Sequence, residues 1–331
     1  MLYPSVVLPF SYVLVLALVT SLSGFARQAL PAHEHALPAP NELPVTADHH
    51  YRLSGGVRPF MFWIGRDNVG AGRMTWRRAA DGTLSLELLM GSDPARAPFK
   101  ANRWGYIREV VRGDAAELVA VKSQTEEETI DEAKASVNRK DKDRALLFIR
   151  EQVTAREART SSAIVDIGRE ATYRDLDIVL DRMSTIQEWD YRVLARPHAA
   201  RPGFLVAFTE LMRSGVNAWT VADASAFRYT PDTLLFIHRA KPYELRQSDV
   251  EPLHDVTLGG RRYTHLLQGK FRIRNPRTNY QSQFSVIYGV DDGLEAVPVR
   301  ITYQPRWWLR TELTLEMSDH LASDSTTGAR R

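Results

Sequence analysis

The sequence predicts a mainly β chain of the α+β class, an antiparallel sheet with a few helices packed on it. Three observations point there. From Arg262 to Glu316 apolar and polar residues alternate almost without a break. Phe271 and Ile273 stand against Lys270, Arg272 and Arg274; Tyr280, Phe284, Val286 and Tyr288 against Gln281, Gln283 and Ser285. Val297, Val299, Ile301 and Tyr303 follow against Arg300 and Thr302, then Leu309, Leu313 and Leu315 against Arg310, Glu312 and Glu316. A period of two puts one face in water and the other in a core. Second, the separators Asn275-Pro276, Asp291-Asp292-Gly293 and Gln304-Pro305 are turn chemistry, which makes the stretch a meander. Third, near the other end, Gly72, Met74 and Trp76 alternate with Arg73, Thr75 and Arg77, and Asp81-Gly82 then leads into Leu84, Leu86 and Leu88. An Asp-Gly between alternating runs is the strongest short-range signal of a hairpin.

Composition closes several routes. With no cysteine in 331 residues there is no disulfide, no thiolate metal site, no thiol nucleophile and no lipid-modified cysteine after a leader. Lys and Arg number 43 against 40 Asp and Glu, scattered rather than massed, so no nucleic-acid partner is expected.

Taken in order, residues 1–26 read as a signal peptide. An apolar stretch from Tyr12 to Val19 is followed by Gly24 and Ala26, small residues at minus three and minus one from a cut after Ala26. The expected location is the periplasm or cell envelope. An N-terminal membrane anchor is the alternative, because the segment before the apolar run has no Lys or Arg and the run from Val6 to Leu22 approaches the roughly 17 to 25 residues of a span. Residues 27–51, with Pro31, Pro38, Pro40 and Pro44, read as a tether that also carries His33, His35, His49 and His50. No carboxylate partners these histidines at a fixed spacing, and no metal is expected. Residues 52–318 are read as one β-sheet domain with a helical middle at about 126–215, and 319–331 as a disordered tail.

Phe60-Met61-Phe62-Trp63-Ile64 reads as the first strand or its lead-in, and Gly70 and Gly72 as a bulge or a close backbone approach. The loop from Gly91 to Trp104 packs Asp93, Pro94, Arg96, Pro98, Lys100 and Arg103 into one connection without a period, and connections of this kind are often functional. Asp93, Arg96, Arg103 and Trp104 are therefore candidate ligand-binding residues, lining a mouth for an anionic or sugar-like group. Read architecturally, Trp104 plugs one end of the sheet and Asp93 caps a turn.

Glu126 to Lys142 reads as an exposed helix, acidic residues first and basic residues last. Leu146–Val153 and Ser162–Ile167 are candidate strands. Thr172 with Asp175 resembles a capping box, opening a helix that runs to about Ser184. Trp189–Ala195 is a strand. Gly203–Arg213 is a second helix ending near Gly215, with Phe204, Phe208, Leu211 and Met212 on its buried side. Strands follow at Trp219–Val221, Ala226–Tyr229, Leu234–Ile237 and Leu245–Leu253, and Gly259-Gly260 turns the chain into the closing meander.

No Gly-x-Ser-x-Gly elbow, His-Glu-x-x-His, P-loop or Ser-x-x-Lys occurs, so no catalytic residue and no cofactor is assigned. Neighbours on a strand point to opposite faces, which leaves one of Trp307 and Trp308 exposed as a candidate ligand or membrane-interface contact; Trp76 joins the candidates from the apolar face.

The opening Asp67-Asn68-Val69-Gly70-Ala71-Gly72-Arg73 hairpin resembles that of an uncharacterised family of exported bacterial β-sheet proteins. So do the closing Asp291-Asp292-Gly293 turn, the Val297-Pro298-Val299-Arg300-Ile301-Thr302-Tyr303 strand and the Leu313-Thr314-Leu315 strand. The resemblance implies a single curved antiparallel sheet, half-barrel-like, similar to periplasmic lipoprotein and lipid carriers. On it Met74, Trp76, Leu84, Leu86, Phe284, Val286, Val299 and Ile301 would line a concave apolar face. The expected function is a non-enzymatic binder or carrier of a lipophilic, or anionic, envelope component. An enzyme acting on an envelope polymer through residues 91–104 is one alternative. A structural partner of a membrane surface or outer-membrane assembly, pairing through a sheet edge, is another.

Overall fold

Strand β1 (Val45–Val57) joins the two ends of the chain: it pairs on one side with β2 (Ile64–Arg78) and on the other with β16 (Leu309–Glu316). The computed structural model describes residues 42–57, 63–97, 102–123, 145–166, 171–221, 227–254, 256–258, 260–278, 280–291, 293–306 and 309–316. From β2 the chain continues through β3 (Leu84–Ser92), β4 (Trp104–Arg112), β5 (Ala115–Ser123), β6 (Ala145–Val153), β7 (Glu157–Asp166) and β8 (Asp190–Ala195). Helix α1 (Leu176–Met183) lies between β7 and β8, and helix α2 (Phe204–Val221) follows β8. The second half comprises β9 (Asp232–His238), β10 (Lys241–Leu253), the small hairpin β11 (Val256–Leu258) and β12 (Arg261–Tyr263), then β13 (Leu266–Arg274), β14 (Gln281–Gly289), β15 (Pro298–Arg306) and β16.

Fourteen strands form one curved antiparallel sheet in the order β8-β7-β6-β5-β4-β3-β2-β1-β16-β15-β14-β13-β10-β9. The first and last strands therefore meet in its middle, and the middle of the chain supplies both edges. The sheet is not closed. Where β8 and β9 leave a seam, one parallel bridge spans it: Arg201 N donates to Leu235 O at 2.6 Å, and Ile237 N to Arg201 O at 3.1 Å.

The two helices cover opposite faces. Alternation on β4 to β6 sends Ile107, Leu118, Leu147 and Ile149 inward to the main core, while Trp104, Tyr106, Val121, Leu146 and Phe148 point outward and are covered by Val179 and Met183 of α1. Inside, α2 brings Leu205, Phe208, Leu211 and Met212 against the sheet. Phe208 lies 5.1 Å from Phe271 and 5.8 Å from Phe284, and those two rings stack at 5.3 Å. Each fully buried large apolar side chain contributes roughly 1.5–3 kcal/mol, so this packing holds the helix on the sheet.

The structure alters several expectations. The stretch read as a tether already contains β1 from Val45, because Tyr51 and Leu53 are buried in the core while Asp48 and His50 face water and hide the period. Helix α2 runs through Gly215 and takes in Trp219–Val221, read as strand; Gly215 is needed there because a Cβ would stand 2.2 Å from the Tyr288 hydroxyl. Residues 227–229 form no strand. β15 continues past Gln304-Pro305 to Arg306, so that pair does not reverse the chain. The Thr172–Asp175 capping box is present, with Thr172 N and Oγ1 both donating to the Asp175 carboxylate. It opens a short 3-10 turn (Tyr173–Asp175) ahead of α1. The leader 1–26, His33 and His35, the charged segment 126–142, Trp307, Trp308 and the tail 319–331 lie outside the described residues.

Candidate functional site

The described residues of the loop between β3 and β4, 93–97 and 102–103, do not form an open mouth. Asp93 is 5% exposed, its Oδ2 accepting from Arg96 Nε at 2.9 Å and from Arg174 Nη2 at 2.8 Å, and its Oδ1 from Ala95 N at 3.0 Å. Arg96 also donates to Asn68 Oδ1. Burial pushes the Asp93 carboxyl up, but the Ala95 N–H and the two guanidinium groups outweigh it and hold the group below the ordinary range. Arg103 is buried beside Ser92, whose Oγ accepts its N–H at 2.8 Å. Trp104 is buried under α1, and its Nε1 donates to Ala171 O at 3.3 Å. Asp93 caps a turn and Trp104 anchors the segment leading to α1, so these four candidates make a joint. Trp76 is half-buried, with the ring of His49 edge-on at 5.1 Å.

The concave apolar lining is also occupied. Met74, Leu86, Phe284, Val286, Val299 and Ile301 all belong to the core that contains α2. The helix is fastened at its start by Glu109 of β4, whose Oε1 and Oε2 accept from Leu205 N at 2.9 Å and Val206 N at 3.0 Å. Gly203 makes room for that carboxylate, since a Cβ there would stand 2.2 Å from Glu109 Cδ. In β6, Glu151 accepts from Ala240 N at 2.7 Å, Arg239 N at 3.0 Å and Thr160 Oγ1 at 2.7 Å. Arg239 and Ala240 both have positive φ, as a two-residue hairpin turn demands, and Glu151 supplies what an Asn-Gly would otherwise make easy. Burial raises both carboxyls, Glu109 to about 7 against its hydrogen bonds. His238 is buried with neither ring nitrogen hydrogen-bonded among the described residues, and burial pushes its pKa down to about 3.

A recess of ligand size lies on the outer face of β10, β13, β14 and β15. It has a volume of about 720 Å³ and is lined by Arg246, Ser248 and Asp249 of β10, Lys270 and Arg272 of β13, Gln283 and Ser285 of β14, and Thr302 and Gln304 of β15, over Phe271 and Phe284. Register sets these side chains in rows. Arg246 opposes Arg272, which opposes Gln283, and Ser248 opposes Lys270, Ser285 and Thr302 in turn. The sequence shows Lys270, Arg272, Gln283, Ser285 and Thr302 as a wet face. Arg246 has no such signal, because only its pairing with β13 brings it there.

Among the described residues no group of three or more His, Asp or Glu side chains is placed to hold a metal ion, and no helix is long and apolar enough to cross a membrane. No protein-family model and no curated relative matches the chain. Among solved structures, the chain is similar to a β-barrel-like protein of domain of unknown function DUF1849 from Brucella abortus. The two share 7% identity and a TM-score of 0.35, over 84% of this chain and 100% of that one. It is also similar to a provisionally assigned lipoprotein from Parabacteroides distasonis ATCC 8503, at 9% identity and a TM-score of 0.29, over 83% of this chain and 96% of that one. Neither likeness carries a ligand, an activity or a location to this chain.

Proposed function

We propose that the protein is an exported, non-enzymatic binder of a cell-envelope component, held in the outer trough of β10, β13, β14 and β15. One observation carries this reading: α2 packs on the inner face, while the trough, uncovered among the described residues, is a recess of about 720 Å³ lined mostly by polar side chains, within the size range of small-molecule sites. A lipophilic cargo on the concave face would require α2 to leave a core that includes the Phe208–Phe271–Phe284 cluster. Catalysis through residues 91–104 loses support because Asp93 and Arg103 are buried and Asp93 is engaged by two arginines. Export rests on the leader, and removal of residues 1–26 would appear in the intact mass of the envelope-derived protein.

The test is native mass spectrometry of protein released gently from the envelope, compared with Ser285→Trp, which places an indole in the trough. A bound component lost from Ser285→Trp is the expected result. An adduct that survives the substitution, or no adduct under any release condition, overturns the proposal.

A further inference from the structure

We infer that the trough takes a phosphate monoester carried on a hydroxylated, sugar-sized body, with Arg246 and Arg272 as the residues that hold the phosphate. This rests on the binder reading above and gives that site its chemistry. Arg246 and Arg272 are direct cross-strand partners, so their side chains leave the same face of adjacent strands. Like charges placed directly opposite destabilise a sheet, and neither guanidinium has a hydrogen bond or ion pair among the described residues.

The neighbouring rows are neutralised. Arg274 grips Glu244 through two bonds of 2.7 and 2.9 Å, and Lys270 meets Asp249 at 3.1 Å. Arg272 also lowers the Glu244 carboxyl, but Arg274 is the larger cause and already holds that charge. The lining thus carries three cations, Arg246, Lys270 and Arg272, against the single carboxylate of Asp249.

Two facing guanidinium groups suit an anion close to doubly charged. A phosphate monoester carries about −1.5 to −2 at neutral pH, whereas a carboxylate carries one charge. Planar guanidinium forks bind phosphate oxygens in pairs, which a lysine cannot do. Beyond the arginines, Ser285 and Thr302 present hydroxyls and Gln283 and Gln304 present amides, groups that both donate to and accept from sugar hydroxyls.

The experiment is calorimetric titration of the purified protein with glucose 6-phosphate, glucose and inorganic phosphate, repeated on Arg246→Gln, Arg272→Gln and Ser285→Trp. Glucose 6-phosphate is expected to bind at least tenfold tighter than glucose, and each arginine substitution to weaken it about tenfold, the loss of one charge-assisted contact. Both arginine variants should melt at the wild-type temperature or above it, because repulsion is relieved. A fall of several degrees would make these arginines structural and overturn the inference. Equal binding of glucose and glucose 6-phosphate, unaffected by the arginine variants and lost in Ser285→Trp, overturns the phosphate while leaving the binder reading standing. Binding that no trough variant alters overturns both. Vesicles containing phosphatidic acid distinguish the source: capture abolished by either arginine variant supports the inference with a lipid headgroup as ligand, and capture that persists counts against it.

Discussion

Replacing Glu109 with glutamine tests whether burial or hydrogen bonding governs the inside of this sheet. The carboxylate is 1% exposed and accepts two backbone N–H groups at the start of α2, which favours the anion; full burial favours the neutral acid. A folded pKa of about 7 against an ordinary 4.5 says that burial wins. The folded state then holds its proton more tightly than the unfolded chain. This contribution to stability is fully present below pH 4.5 and is lost as pH rises through 7. Two and a half pKa units correspond to about 3 kcal/mol.

Glutamine is uncharged at every pH but turns its NH2 toward one of the two N–H groups, a cost of about 1–3 kcal/mol that does not vary with pH; the stability of Glu109→Gln relative to wild type should therefore rise by about 3 kcal/mol between pH 4.5 and pH 8. The whole-protein pH profile will not display this directly. Burial lowers the pKa of His238 from 6.5 to about 3, and a lowered histidine acts in the opposite sense, losing stability as pH falls below 6.5. The measurement is therefore the difference between wild type and Glu109→Gln in urea unfolding, followed by tryptophan fluorescence at several pH values. If the stability of Glu109→Gln relative to wild type does not rise between pH 4.5 and pH 8, the N–H groups outweigh burial and the reasoning fails.

Other substitutions probe the same architecture. Gly203→Ala drives a Cβ into the Glu109 carboxylate, and freeing two buried N–H groups should cost about 3 kcal/mol in urea unfolding. Gly82→Ala meets no atom within 4 Å and carries only the positive-φ penalty, about 1 kcal/mol. Gly70→Ala would place a Cβ 2.0 Å from the Gly91 carbonyl oxygen, where no side chain can yield, so soluble protein recovered on expression should fall sharply, with a cost above about 4 kcal/mol. Asp93→Asn removes the charge that holds Arg96 and Arg174; both arginines are partly exposed, so a loss of about 1–2 kcal/mol in thermal unfolding is expected.

What could be read from the sequence follows from how each element is exposed. β13 and β14 are dry on one face and wet on the other, so Phe271 and Ile273 alternate visibly with Lys270 and Arg272. β4 and β5 are covered on both faces, by the core within and α1 without, and Trp104 to Arg112 offers no alternation to find. The capping box at Thr172 is legible because its two partners are three residues apart. The end of α2 is not, since Trp219-Thr220-Val221 has strand-like composition and only the Tyr288 hydroxyl explains Gly215. Site residues divide the same way. Asp93 and Arg103 stand out by composition, yet the loop consumes them. Arg246 joins the trough only through a register set between β10 and β13, which shifts between Ser248 and Glu251.

The seam sets what must hold the inner face together. A fully closed barrel would join its edges by a ladder of backbone bonds; here β8 and β9 share no ladder, and the Arg201 bridge sits at their seam. Glu151 holds the turn after β9, and Glu109 holds the helix that follows β8. Two buried carboxyls of raised pKa would suggest an acid-base pair in a cleft, but here both oxygens of each are taken by N–H or hydroxyl donors, and neither group is exposed. Glu109 keeps α2 in place, and Glu151 keeps the turn between β9 and β10 against β6. The packed helix in turn makes the stacked Phe271 and Phe284 a rigid floor beneath the strands that carry Arg246, Arg272 and Ser285. A floor fixed from within holds facing cations at a set spacing on the surface, which ordered loops or isolated side chains cannot do as well.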